Sequence, residues 1–119
     1  MTSDGVLDPV ALRYLLEVTG GDIAFIDELV DTFIDDAVVQ LDAMRAAAPR
    51  GDIEALVRPA HSLKSNSANV GATRLADLCR DLETDARAGA VEDAPARVSA
   101  LRVEFAAVRE ALLAERAER

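Results

Sequence analysis

The sequence has few of the residues on which many classes of protein depend. It contains no Trp, one Cys, one His and four aromatic residues in 119. A single Cys cannot form an internal disulfide, and one His with one Cys cannot complete a four-ligand zinc site. No apolar run exceeds four residues, and the N-terminus lacks the basic and apolar regions of a signal peptide. We therefore expect a cytoplasmic chain with no metal and no membrane contact.

Basic residues are also scarce relative to acidic ones. There are 13 Lys and Arg against 22 Asp and Glu, for a formal net charge of −9. Nucleic acid and anionic lipid both bind basic surfaces, so neither is an expected partner. No glycine-rich phosphate loop is present, which argues against ATP binding. Half of the residues are hydrophobic, enough for a core, and the length suits a single domain over residues 1–119.

Apolar residues at helical spacing, separated by short breaks, predict five helices. The predicted segments run from Asp8 to Val18, from 22 to 47, from Asp52 to Gly71, from Thr73 to Gly89 and from Asp93 into the polar C-terminal tail. No strand-like alternation is found. Because short loops make neighbouring amphipathic helices antiparallel, we predict an all-α fold, an antiparallel four-helix bundle with a short additional N-terminal helix.

Three local features of the sequence allow further structural predictions. Pro59 lies inside the third predicted helix, where it is expected to free the carbonyl group of Ala55 and kink the helix. Cys79 is in phase with Leu75 and Leu82, which indicates a small buried side chain rather than a nucleophile. The polar tail, residues 115–119, is expected to fray.

The only His lies in a locally basic stretch of this acidic chain. Residues 55–76 contain no acid but include Arg58, Lys64 and Arg74. On a helical wheel, His61 falls roughly 120° from the centre of the apolar stripe, so we expect its ring to be exposed. Lys64 follows one turn later on the same side. A locally positive window of this kind is typical of a site that handles an anion.

Two small residues complete this predicted surface. Ser65 and Ala68 stand four and seven positions after His61, so they share its sector of the helix. A neutral imidazole nitrogen is a good nucleophile near neutral pH, since its reference pKa is about 6.5. An ammonium group can steady phosphoryl oxygens, and small neighbours would let a partner bring a phosphorylated carboxylate close. A lone His on a helix is usually an ordinary surface residue. This combination instead indicates a phosphoryl carrier.

Residues 60–72 resemble a known motif, that of the histidine-containing phosphotransfer (HPt) domains of bacterial multistep phosphorelays. The family pattern is His, any residue, Leu, Lys, Gly, then small residues, then an apolar residue before Gly-Ala. The matching positions are His61, Leu63, Lys64, Ser67, Ala68, Val70, Gly71 and Ala72. One position departs from the pattern, because Ser65 stands where the family usually has Gly.

This resemblance implies a function for the residues that carry it. His61 would take a phosphoryl group at Nε2 from a receiver-domain aspartate and pass it to another receiver, with Lys64 stabilising the charge. Glu83 occupies a position where some members orient the imidazole through its other nitrogen. Partners would be receiver domains and a hybrid sensor histidine kinase, touching Arg58, Ser65 and Ala68. The receiver would hold Mg²⁺, so the chain itself needs no cofactor.

The alternative to the carrier is a non-catalytic helical-bundle adaptor with a vestigial motif. A third hypothesis, an independent enzyme built on the same bundle, fails on the sequence. An adaptor would bind its partner without regard to His61. The enzyme hypothesis is disfavoured because no second catalytic group accompanies the His, so we expect no turnover and no kinase activity. The apolar seam of the last helix is expected to pack inside the bundle, leaving the chain a monomer.

Overall fold

The computed structural model describes residues 5–118, and its regular elements there are all helical. The α-helices are α1 (Pro9–Val18), α2 (Ile23–Ala47), α3 (Val57–Asn69), α4 (Thr73–Arg87) and α5 (Ala94–Ala117). Two short 3₁₀ turns, Ala48–Arg50 and Glu54–Leu56, connect α2 to α3. Over the described residues, no helix is both long enough and apolar enough to cross a bilayer.

Aspartate side chains begin three of the helices at the predicted positions. The carboxylates of Asp8, Asp22 and Asp93 accept hydrogen bonds from backbone N–H groups in the first turns of α1, α2 and α5. Such caps satisfy donors that have no partner within the helix. The predicted cap of α4 is wrong. Ala72 is the residue before that helix, and Thr73 is its first helical residue.

The third helix begins later than the sequence suggests, and this places Pro59 in its first turn. Asp52 caps the 3₁₀ turn by accepting from the N–H of Ala55 at 3.3 Å, and the α-helix starts only at Val57. Pro59 is therefore the third residue of α3. The N–H groups of a first helical turn have no intrahelical acceptor, so a proline costs no hydrogen bond there.

Helices α2 to α5 form the predicted antiparallel bundle. Ion pairs between α4 and α5 show the direction of these neighbours, because Arg74 near the start of α4 meets Glu104 at 3.3 Å, while Arg97 near the start of α5 meets Asp85 at 3.0 Å. The core is mainly aliphatic, with Phe33 and Phe105 in contact at a ring-centroid distance of 6.0 Å. The predicted fold class is confirmed.

The C-terminal tail is held against the bundle, contrary to the expected fraying. Helix α5 continues to Ala117, and the guanidinium group of Arg116 lies against the start of α2. It donates to the backbone oxygen of Asp27 at 2.9 Å and pairs with the carboxylate of Asp31 at 3.0 Å. The last residue of the predicted tail, Arg119, lies outside the described residues.

Helix α1 packs on the turn between α3 and α4. The N–H of Asp8 donates to the carbonyl oxygen of Gly71 at 2.7 Å, and Leu7 is buried in the core. Gly71 has a φ of +78° and no room for a side chain, since a Cβ there would lie 2.8 Å from the Cβ of Ala11. The Gly71 turn therefore fixes α1 to the end of the helix that carries His61.

Ser67 provides a direct test of the core packing. Its side chain is fully buried on α3, and its hydroxyl oxygen has no hydrogen-bond partner. We expect Ser67→Ala to raise the free energy of unfolding by about 1 kcal/mol more than Ser65→Ala, because burying an unpaired polar group is costly. Ser65→Ala, at an exposed position of the same helix, controls for helix propensity. Denaturant unfolding measures both changes; equal effects would contradict the unpaired hydroxyl.

Candidate functional site

The His61 ring is presented at the surface by α3 and held from behind by α4. Its side chain is 55% exposed, and Nδ1 lies 2.9 Å from Oε2 of Glu83. Because α3 and α4 are antiparallel and joined by a short turn, a residue 22 positions later in the chain comes to lie beside the ring. The opposite ring nitrogen, Nε2, is left for contact with a partner.

Glu83 sets the chemical state of the ring. An ionised carboxylate only accepts hydrogen bonds, so Nδ1 of His61 must be the donor in this contact. The neutral ring then carries its proton on Nδ1 and its lone pair on Nε2. The geometry thus leaves the lone pair on Nε2, the ring nitrogen that does not face Glu83.

Glu83 is a buried anion surrounded by donors from three side chains. It is only 8% exposed, and Lys64 Nζ approaches Oε1 at 2.7 Å. Arg87 donates to the other oxygen, Oε2, from Nε at 3.1 Å and from Nη2 at 2.8 Å. The hydrogen bond from Lys64, followed by those from Arg87 and His61, lowers the pKa of Glu83 from 4.5 to about 2, although desolvation acts in the opposite direction. The carboxylate is therefore ionised at neutral pH.

These contacts predict how stability depends on pH. Because the folded pKa of Glu83 lies below the unfolded value of 4.5, the ionised group stabilises the fold above that pH and loses this effect as the pH falls towards 2. The advantage of wild type over Glu83→Gln in unfolding free energy should therefore shrink by roughly 2 kcal/mol between pH 6 and pH 3. Denaturant titrations of both proteins at each pH measure it. An advantage that stays constant with pH would contradict the ion pairs.

The other predicted site residues occupy three surfaces around His61. Lys64 is half-buried against Glu83. Ser65 is exposed and lines a groove between α2 and α3 together with His61. Ala68 is exposed beside Tyr14 on α1, on a neighbouring surface. Arg58 is exposed in a separate shallow groove, between the start of α3 and the end of α4.

The groove beside the ring contains polar residues that the sequence did not single out. It has a volume of about 470 Å³ and runs from His61 towards Val70. The carboxylate of Asp36 lies in its wall, where it accepts from the amide of Asn66 at 2.9 Å and from that of Gln40 at 3.2 Å. The contact with Asn66 links α2 to α3 across the groove, and the two hydrogen bonds together fix the orientation of the three side chains.

An apolar surface continues from this groove. Tyr14 is 60% exposed and Phe25 is 42% exposed, and both line a shallow depression with Leu29 and Ala68. Large exposed apolar side chains that lie together are typical of protein contacts. These two aromatics could not be singled out from the sequence, because the sides of α1 and α2 that stay exposed depend on how the two helices pack.

Cys79 is a buried thiol close to Glu83. Burial, and secondarily the charge of Glu83, raises the pKa of the Cys79 thiol to about 12, so the buried group stays protonated. Within residues 5–118, no cluster of three or more His, Cys, Asp and Glu side chains is placed to hold a metal ion.

Comparison with known proteins identifies the family. The model of the Hpt domain family matches residues 28–111. The chain is also similar to the crystal structure of histidine-containing phosphotransfer protein B (HptB) from Pseudomonas aeruginosa PAO1, with 38% sequence identity, a TM-score of 0.86 and 97% of each chain covered. No curated protein matches the sequence. Since the family match covers most of the chain and includes the exposed His61, the chain belongs to the Hpt domain family, the histidine phosphotransfer carriers of two-component phosphorelays.

Proposed function

We propose that Nε2 of His61 accepts a phosphoryl group from the aspartyl phosphate of one receiver domain and passes it to the aspartate of another. The observation that carries this proposal is the 2.9 Å contact between Nδ1 and the ionised Glu83, beneath a ring that is 55% exposed. It leaves a lone pair on the one nitrogen that a partner can reach.

The transfer step balances without a proton donor or acceptor in this chain. The lone pair of Nε2 forms the P–N bond as the P–O bond to the aspartyl oxygen breaks, and the aspartate leaves as a carboxylate. The proton on Nδ1 stays in place. Positive charge develops on the ring, and the adjacent Glu83 carboxylate stabilises it, much as a carboxylate stabilises the imidazolium of a hydrolase triad. In the reverse reaction, the P–N bond breaks as a P–O bond forms, and the phosphoryl group passes to the aspartate of a second receiver.

Lys64 and the small residues complete the site in this proposal. Lys64 lies one helical turn from His61, so its flexible side chain can carry positive charge to the phosphoryl oxygens. Ser65 stands where the family pattern has Gly, and its short side chain leaves the ring accessible. Mg²⁺ belongs to the receiver, and the chain itself binds no cofactor.

The partner surface extends over the exposed sides of α1, α2 and α3. The apolar depression at Tyr14 and Phe25, with Ala68, and the polar groove at Ser65 together border His61 on one side, while Arg58 borders it on the other. We propose receiver domains and a hybrid sensor histidine kinase as partners of a monomeric chain. A small contact area would suit transient exchange between successive receivers. A carrier used in this way has no turnover of its own.

The relay test uses two receiver domains that do not exchange phosphate directly. One is phosphorylated with a small-molecule donor, freed of that donor and mixed with the second, with and without this protein. The proposal predicts that label reaches the second receiver only when the protein is present, with an acid-labile phosphate on the protein as intermediate. If this protein bound receivers from a broad panel but was labelled by none of them, the result would instead favour a helical-bundle adaptor.

A further inference from the structure

Lys64 is paired with Glu83, although the proposed function needs its charge at the phosphoryl group. In the free protein, Lys64 Nζ lies 2.7 Å from Oε1 of Glu83, so its charge is already engaged. To neutralise phosphoryl oxygens on His61, this ammonium group must move away from Glu83. The carboxylate it would leave behind is only 8% exposed. Removing the partner of a buried charge is strongly unfavourable unless another cation remains.

Arg87 is placed to be that second cation. It donates two hydrogen bonds to Oε2, whereas Lys64 contacts Oε1, so the two cations do not compete for one oxygen. Arg87 itself is 59% exposed, and its side chain lies on the same helix as Glu83, four residues later. An exposed guanidinium with two hydrogen bonds can hold the carboxylate whether Lys64 is present or absent.

We infer that Arg87 is a positioning residue for phosphotransfer: it holds the Glu83 carboxylate beneath His61 while Lys64 moves from Glu83 to the incoming phosphoryl group. This inference rests on the proposed function. Before transfer, Glu83 is paired with both Lys64 and Arg87. After transfer, the dianionic phosphoryl group on Nε2 attracts Lys64, and the Glu83 carboxylate keeps Arg87 and the Nδ1 proton. No bond is made or broken besides those of the phosphoryl transfer itself.

The test is a double-mutant cycle between Arg87 and Glu83, with the rate of His61 labelling by phosphoramidate as the readout. We expect Arg87→Gln to slow labelling about tenfold, equivalent to about 1.4 kcal/mol. Arg87→Lys should restore most of the rate. In the Glu83→Gln background, where no buried charge needs a partner, the same Arg87→Gln change should alter the rate less than twofold.

A matched control and a spectroscopic readout separate positioning from general damage. Arg80 lies on the same helix, is similarly exposed and pairs with Asp77 and Asp81, so Arg80→Gln should label at the wild-type rate. The ¹⁵N signal of the Lys64 ammonium group should shift on phosphorylation of wild type and shift much less in Arg87→Gln, in which Lys64 is retained by Glu83.

Three results would overturn the inference. Labelling of Arg87→Gln at the wild-type rate would show that Glu83 needs no second cation. Equal slowing in both Glu83 backgrounds would show that Arg87 acts directly on the phosphoryl donor. A Lys64 signal unchanged by phosphorylation would show that Lys64 does not move. Failure of wild type to accept phosphate from any donor is a different result, which would overturn the proposed function and this inference with it.

Discussion

Replacing His61 with Gln is expected to abolish phosphoryl acceptance while leaving the fold intact. Gln has no nucleophilic nitrogen, so no labelling above background should remain. The fold should tolerate the change because the His61 side chain is 55% exposed, and Lys64 and Arg87 still pair with Glu83. Exposed substitutions usually change stability by less than about 0.5 kcal/mol. Intact mass spectrometry after incubation with a phosphorylated receiver should show one added phosphoryl group on wild type alone.

The control for this experiment is Arg80→Gln, which should gain the phosphoryl group at the wild-type rate. Circular dichroism of all three proteins checks that the helical content is unchanged. Labelling of His61→Gln to the wild-type level would place the acceptor elsewhere in the chain. Loss of helical signal in that variant would contradict the exposed position of the ring.

Replacing Gly71 with Ala is expected to be the most destabilising of the substitutions considered. The φ of +78° at Gly71 disfavours any side chain, and a Cβ would lie 2.9 Å from the carbonyl oxygen of Asp8. The start of α1 must therefore move away, which also lengthens the 2.7 Å hydrogen bond from the N–H of Asp8 to Gly71. We expect a loss of about 3 kcal/mol or more in the free energy of unfolding.

Gly89→Ala separates backbone strain from crowding in this prediction. Gly89 also has a positive φ, of +67°, but a Cβ there would meet nothing within 4 Å. Its replacement should cost only about 1 kcal/mol, the penalty for an L-residue in the left-handed region. Equal losses in the two variants, measured by denaturant unfolding, would contradict the close packing of α1 on the α3–α4 turn.

Much of the fold could be predicted from local signals in the sequence. Asp8, Asp22 and Asp93 start helices because their caps involve backbone groups only two or three residues away. Apolar spacing likewise predicts the buried faces of α2 and α5. The errors arise where several local solutions compete. Asp52 can cap a 3₁₀ turn as readily as an α-helix, so the Asp52 cap does not fix the first residue of α3.

Contacts between distant residues could not be predicted in the same way. Arg116 meets Asp27 and Asp31 across almost the full length of the chain, and only the packing of α5 on α2 brings them together. From the sequence alone, the tail therefore shows only its polar composition, and its contacts with α2 are not predicted. The hydrogen bond from Asn66 to Asp36 likewise depends on the register of α2 against α3.

In the candidate site, too, the features that depend on local spacing could be predicted and the contacts between helices could not. The position and exposure of His61, and the place of Lys64 one turn later, follow from the spacing along one helix, and the resemblance to the Hpt motif suggested Glu83. Neither the helical spacing nor the motif predicts that Lys64 forms an ion pair with Glu83, or that Arg87 pairs with the same carboxylate. The four-residue spacing of Glu83 and Arg87 was the available signal, but such pairs are common on solvent-exposed helices.

The most direct test of the account is to identify which ring nitrogen of His61 carries the phosphoryl group. Protein labelled with ¹⁵N-histidine, phosphorylated by phosphoramidate, is observed by ³¹P and ¹⁵N NMR under neutral conditions. Since the sequence has one His, every ring signal belongs to His61, and the two nitrogens are told apart by their couplings to the ring protons. We expect coupling of phosphorus to Nε2, with a proton retained on Nδ1 next to Glu83. Phosphorus on Nδ1, or no phosphorus on the ring at all, would contradict it.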